Sequence, residues 1–222
     1  MPALMLLLFL ILLAVSPFLF ANLMLTSLEE LHLSPPAALA LVIAMFIGGL
    51  INIPITTIRR NKSVPEHPLA IYGLSDFWPQ TERNTQQTII AVNLGGCVIP
   101  LAISLYEIAY LAASAPVALL LGMVGCAFNI AICYFVARPI KGIGIAMPGF
   151  LSPLVAAAFA LLLTPEAAPP VAFVIGVMGP LIGADLLHLK DIETIDSGIA
   201  SIGGAGTFDG IVPSGIIAAY LA

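Results

Sequence analysis

The chain alternates between long apolar runs and short polar connections. A helix needs about 20 predominantly apolar residues to cross the hydrocarbon core of a bilayer. Seven stretches meet that requirement: residues 2–25, 37–58, 89–111, 116–137, 146–163, 171–189 and 199–221. The pattern predicts an all-α protein of seven transmembrane helices, with residues 1–222 forming a single integral membrane domain.

Composition points the same way. Of the 222 residues 60% are hydrophobic, only 9% are charged, and the mean hydropathy is +1.11. A typical soluble domain carries roughly 25% charged residues. A soluble core of this size cannot bury so much apolar surface, so the lipid bilayer is the first partner. The net charge of −5 gives no footprint for nucleic acid, and the placement of the charges is more informative than their sum.

All seven basic residues, Arg59, Arg60, Lys62, Arg83, Arg138, Lys141 and Lys190, fall in the second, fourth and sixth connections. The first, third and fifth carry only acidic or neutral residues, among them Glu29, Glu30 and Glu166. Positive charge stays on the cytoplasmic side. The N-terminus is therefore expected inside, the C-terminus outside, and the location is the cell (inner) membrane. Removing or adding one internal span would scatter the charges over both faces.

The N-terminal run lacks the basic start and the small-residue cleavage site of a secretory signal, so it reads as a retained first span. The long connection, residues 59–88, is expected in the cytoplasm. Its middle, residues 69–79, is amphipathic and holds Trp78, which suits an interfacial anchor or a lid over a site. Two stretches, GGLINIP (48–54) and GGCVIP (95–100), set a glycine pair shortly before a proline on spans of opposite direction. Broken-helix inverted repeats look like this. So does coincidence in a chain with 19 glycines and 18 prolines.

Chemistry enters through acids inside spans. A carboxylate at the centre of a membrane helix costs about 2.5–3.5 kcal/mol on insertion scales, so such residues usually face a cavity or a partner. Glu107, between Tyr106 and Tyr110, lies near the outer end of the third span and is expected at a solvated helix end. Asp185, in GPLIGADLLHLK, lies near the cytoplasmic end of the sixth span. Asp209 lies in SIGGAGTFDGIVPSGIIAAYLA, ~15 Å into the seventh. The last two spans read as a glycine-rich hairpin in which Gly203, Gly204, Gly206, Gly210 and Pro213 form a hinge that brings the acids together. Glycine permits the backbone that unwinding needs.

The spans hold no Lys, Arg or His to neutralise the two acids unless His188 or Lys190 folds back on Asp185. Two like carboxylates at low dielectric share a proton. That arrangement serves an aspartyl-protease dyad acting on a transmembrane-helix substrate, or a relay for protons or a small cation in a transporter. The structural alternative is packing. Gly179 and Gly183, and Gly206 and Gly210, are G-x-x-x-G pairs that let helices approach, which would leave a non-catalytic scaffold. Asn22, Asn52, Asn93 and Asn129 would line a polar path or bond between helices. Cys97, Cys126 and Cys133 sit in apolar stretches without a C-x-x-C spacing. They read as packing residues, and neither a metal nor a cofactor is expected.

These last motifs carry a resemblance. IGADLLHL followed by SIGGAGTFDGIVPSGIIA, together with AVNLGGCVIPLAISLY (91–106), resembles an uncharacterised family of prokaryotic multi-pass membrane proteins known only as a domain of unknown function. It implies no established activity. A second likeness is to the presenilin and signal-peptide-peptidase type of intramembrane aspartyl protease. Those families place one aspartate in a span and a second in a G-x-G-D motif on the next. Here Gly204, Ala205 and Gly206 are followed by Thr207 and Phe208 before Asp209. Ala184 stands where those families have a tyrosine, and Val212, Pro213 and Ser214 are the only stand-in for their P-A-L motif. The order of the acids agrees and the spacing departs.

Overall fold

The computed structural model of the chain describes residues 2–60, 86–140, 144–194, 199–204 and 210–222. Each predicted span contains one helix: α1 Pro2–Glu29, α2 Pro35–Gly48, α3 Ile99–Ser114, α4 Pro116–Val136, α5 Leu151–Leu163, α6 Ala168–Met178 and α7 Ile211–Leu221. Prolines open α2, α3 and α4, positions where a missing N–H is no loss. A π-helical turn, Leu94–Val98, leads into α3, and another, Gly179–Leu186, continues α6.

Among the described residues four helical runs are long and apolar enough to cross a membrane: Leu4–Glu29, Leu94–Ser114, Pro116–Val136 and Pro165–Leu186. They mark a membrane protein. The helices α2, α5 and α7 are apolar but only 14, 13 and 11 residues long. At 1.5 Å per residue they span roughly 16–21 Å, short of the ~30 Å hydrocarbon core.

The shortfall has a structural cause, and it corrects the all-α expectation. Residues 52–58 belong to strand β1, Asn52–Arg60, and not to the end of a span. Residues 89–93 lie in β2, Gln86–Asn93, and the seventh predicted span opens with β5, Ile199–Ile202. In this sheet β2 is central, antiparallel to β1 and parallel to β5. The local sequences explain it. Isoleucine, valine and threonine dominate the strands, and β-branched side chains favour a pleated surface over a helix. Pro54 removes one N–H, and the β1–β2 register shifts between Pro54 and Thr56, where a proline is tolerated as a bulge. Hydropathy scores such runs like helix. A hairpin of β3, Arg138–Ile140, and β4, Gly144–Ala146, lies between α4 and α5. The flanks of the long connection are ladder rungs out to Arg60 and Gln86. Its amphipathic middle lies outside the described residues.

The core centres on α6, which is buried on every side from Ala168 through Val177 apart from Pro169. One cluster joins Met24 and Leu28 of α1, Met45 of α2, Phe173 and Val177 of α6 and Ile216 of α7. A second joins Leu111, Cys126, Ala156, Val171, Ile175 and Ala218. The periphery is the reverse: Phe18, Phe135 and Leu162 are 77%, 79% and 81% exposed, as expected of side chains that meet lipid. All three cysteines are buried thiols.

Candidate functional site

Strands and π turns collect at one end of the helices. There α6 leaves its α-helical register. The Asn129 side chain of α4 donates to the Ile175 carbonyl (2.9 Å), and a π turn begins at Gly179. Turns of this kind concentrate at functional sites. Gly179 and Gly183 press against Asn129, Ile130 and Cys133 of α4, so this G-x-x-x-G pair serves the α4 contact. The α6–α7 contact is made elsewhere: a Cβ on Gly176 would collide with the Ser214 backbone.

Asp185 is half-buried on this turn. It lines a cavity of about 160 Å³ with Ala146, Met147, Pro180, Gly210 and Ile211. Asp209 and Gly206 lie outside the described residues, while Gly210, the neighbour of Asp209 in the chain, forms part of the cavity wall. Pro213 sits in the first turn of α7. His188, 7% exposed, has Nδ1 3.0 Å from the Gly183 carbonyl and its ring beside Tyr134.

Next to this region the two glycine pairs noted in the sequence touch each other. A Cβ on Gly95 would fall on the Met45 carbonyl and the Gly49 nitrogen, and one on Gly48 would meet Gly95. Asn93 fixes the crossing. Its Oδ1 accepts from the Gly96 N–H (2.7 Å), and its Nδ2 donates to the Gly49 carbonyl (2.8 Å) and to Asn52 Oδ1 (3.1 Å). Ser201 Oγ donates to the same Asn52 Oδ1 (2.6 Å), tying β5 to β1 and β2. Gly203 follows with φ +68°, and a Cβ there would strike the Gly96 backbone. The Gly204 N–H closes the turn on the Ser201 carbonyl (3.0 Å). The turn at Gly203 and Gly204 is thus seated on the π turn that leads into α3.

A buried polar network links four helices deeper in the core. Asn129 Nδ2 donates to Ser152 Oγ (3.0 Å), and Ser152 Oγ lies 2.6 Å from Ser214 Oγ. None of the three is exposed. Asn129 is therefore an interhelical bond-former. Asn22 accepts from Thr26 on α1.

At the opposite end Glu107 departs from the solvated helix end expected of it. It is 0% exposed. Oε1 accepts from the His32 backbone N–H (3.2 Å), and Oε2 lies 2.8 Å from His32 Nδ1. The His32 ring stacks on Tyr110 at 3.6 Å, and Tyr106 donates to the His32 carbonyl (2.7 Å). A buried carboxylate needs such partners, and His32 supplies two of them from the α1–α2 connection. Among the described residues no group of three or more His, Cys, Asp or Glu side chains is arranged to hold a metal.

A family model for proteins of unknown function, DUF1614, matches residues 46–221. The chain belongs to the DUF1614 family. The matched DUF1614 region contains the glycine crossing, all three strands of the larger sheet, Asp185 and Asp209, whereas α1 and most of α2 precede it. No curated protein and no solved structure matches the chain.

Proposed function

We propose that this DUF1614 protein crosses the cell membrane seven times and works through a paired-carboxylate site of Asp185 and Asp209, acting as an aspartyl-protease-like hydrolase. The observation that carries the reading is the cavity wall shared by Asp185 and Gly210. The reading requires the Asp209 carboxylate to reach the same space, which at about 160 Å³ holds several waters at ~30 Å³ each. One carboxylate would take a proton from water as it attacks a peptide carbonyl, and the other, holding the shared proton, would protonate the leaving group. Strand β5 supports a peptide substrate. It pairs with β2 on one side, and among the described residues no strand pairs with its other edge. An extended chain added there would run beside the turn at Gly203.

The alternative is a proton- or cation-coupled transporter. The crossing of broken helices at Gly48 and Gly95 favours it, because transporter sites form where helices are interrupted. The topology rests on the charge asymmetry. It is supported by the convergence of Glu30, His32, Ala115 and Glu166, from the first, third and fifth connections, on one cavity.

The test is Asp185→Asn and Asp209→Asn in cells that co-express a single-span reporter substrate. Each variant should insert normally and lose cleavage. The double variant should be no worse than either single, since residues acting as a unit are non-additive. Cleavage retained in Asp209→Asn would refute the hydrolase. Loss instead of pH-dependent uptake into proteoliposomes would establish the transporter.

A further inference from the structure

Helix α1 carries one amide whose donors the fold does not use. The serines of the helix have acceptors. Ser16 Oγ donates to the Leu13 carbonyl (3.1 Å), an acceptor left free because Pro17 has no N–H. Ser27 Oγ reaches the carbonyls of Leu23 (2.7 Å) and of Ile216 on α7 (3.0 Å). Asn22 differs. Its Oδ1 accepts from the Thr26 hydroxyl on the same helix (3.5 Å), and among the described residues its Nδ2 has no acceptor. Asn22 is exposed on a helix long and apolar enough to cross a membrane. It lies roughly 10 Å along the axis from Glu29, the last residue of α1. The amide therefore faces hydrocarbon, where a polar group without a partner is costly and a second helix relieves it.

The helix face shows where that second helix packs. Met24, Ser27 and Leu28, all 0% exposed, hold α1 to the rest of the molecule. Asn22 lies about 160° round the helix from Met24. On this outer face Leu4, Leu8, Ile11, Val15, Phe18 and Asn22 follow one another at spacings of four and three, and all are exposed. That is the repeat of a two-helix seam, with Leu8, Val15 and Asn22 in one set of core positions and Leu4, Ile11 and Phe18 in the other. A single asparagine at such a position fixes register and strand number, and membrane helices commonly cross at the angle of soluble coiled coils. Glu29 joins the same line only at the end of the helix, where water screens its charge.

We infer that α1 joins two copies of this chain side by side, with their Asn22 amides exchanging hydrogen bonds across the contact. Two arguments select a second copy over a different helix. Every copy of a span crosses the bilayer in the same direction, so a two-fold axis along the membrane normal sets residue 22 opposite residue 22 at one depth. A carboxamide carries both donors and an acceptor, so it is its own complement. The Nδ2 unused within one copy is then satisfied by the Oδ1 of the other.

The experiment is disulfide cross-linking of the full chain in membranes, with Cys97, Cys126 and Cys133 replaced by alanine. Val15→Cys places a thiol on the seam. Leu13→Cys is the control, because Leu13 is 58% exposed but points to the side of the helix that carries Met24. Oxidation with copper phenanthroline should give a covalent dimer with Val15→Cys and little with Leu13→Cys. Energy-transfer dilution in vesicles then gives the association constant. Asn22→Leu should lower it on the order of tenfold, the worth of one or two hydrogen bonds between membrane helices. Asn22→Gln keeps the amide and should lower it less. Asn22 is exposed, so both variants should insert normally and keep the wild-type melting temperature, which is checked in parallel. Equal cross-linking at the two positions, none at Val15→Cys, or wild-type association in a normally folded Asn22→Leu would overturn the inference.

Discussion

Asp185 and Gly210 stand in the wall of one cavity, brought there by two different devices. Asp185 arrives on the π turn that continues α6, and Gly210 is the residue on which α7 begins. Between them the chain runs through β5 and a turn at Gly203 that leans on Gly96 and Cys97 in the π turn before α3. The two ends of the cavity wall are therefore positioned by the sheet and by α4.

Gly203 is the first place to test that positioning. Its φ of +68° costs a non-glycine residue roughly 1–2 kcal/mol, and a Cβ there has no room beside the Gly96 backbone. Gly203→Ala should therefore destabilise the protein by more than that strain alone. Thermal unfolding in nanodiscs would show a clear fall in melting temperature, whereas Gly149→Ala, where a Cβ meets nothing, should leave it nearly unchanged.

Removing His32 should differ sharply from neutralising Glu107. His32→Ala takes the ring partner from a carboxylate that is 0% exposed and leaves it only the backbone N–H of residue 32. The expected loss is about 1–3 kcal/mol, below the full cost of breaking a buried pair because a third of the His32 side chain meets water. Glu107→Gln keeps the shape and both bonds to His32 and should cost little. Equal losses in the two variants, read from unfolding midpoints, would mean that burial of the charge is not what binds the connection to α3.

The network of Asn129, Ser152 and Ser214 should be graded. Ser214→Ala removes one bond between helices and Ser152→Ala two, each worth about 0.6 kcal/mol on average in membranes. Asn129→Ala also takes the donor from the Ile175 carbonyl beside the start of the π turn. It should cost more than either serine change and should lower activity as well as stability, because it releases the segment that carries Asp185. Activity unchanged in Asn129→Ala would detach the network from the site.

The helices were legible in the sequence because a helix writes its apolar length locally. Each of the seven apolar stretches contains one. The strands were not, since Ile53, Ile55 and Ile58 score as membrane residues whether they are helical or extended. Only the threonines and Pro54 hint at the difference. The glycine echo was visible, but its meaning was not: Gly48 and Gly95 are brought together by strand pairing that no local pattern encodes. Glu107 was singled out as an acid in a span. Its partner His32 sits 75 positions away, and burial turned an expected solvated end into a paired one. Asp185 stands near the end of its apolar run, yet the π turn beneath it is braced by Asn129 from another helix.

The most direct measurement of the paired-aspartate site is the distance itself. In a chain whose Cys97, Cys126 and Cys133 are replaced by alanine, Asp185→Cys and Asp209→Cys would be introduced together and treated in membranes with a short bis-methanethiosulfonate cross-linker. Carboxyl groups that share a proton or a water lie within about 6 Å of each other. A paired site therefore predicts rapid, near-complete intramolecular bridging that protects both thiols from later labelling. Two thiols that label freely and independently, with no bridge formed, would contradict it.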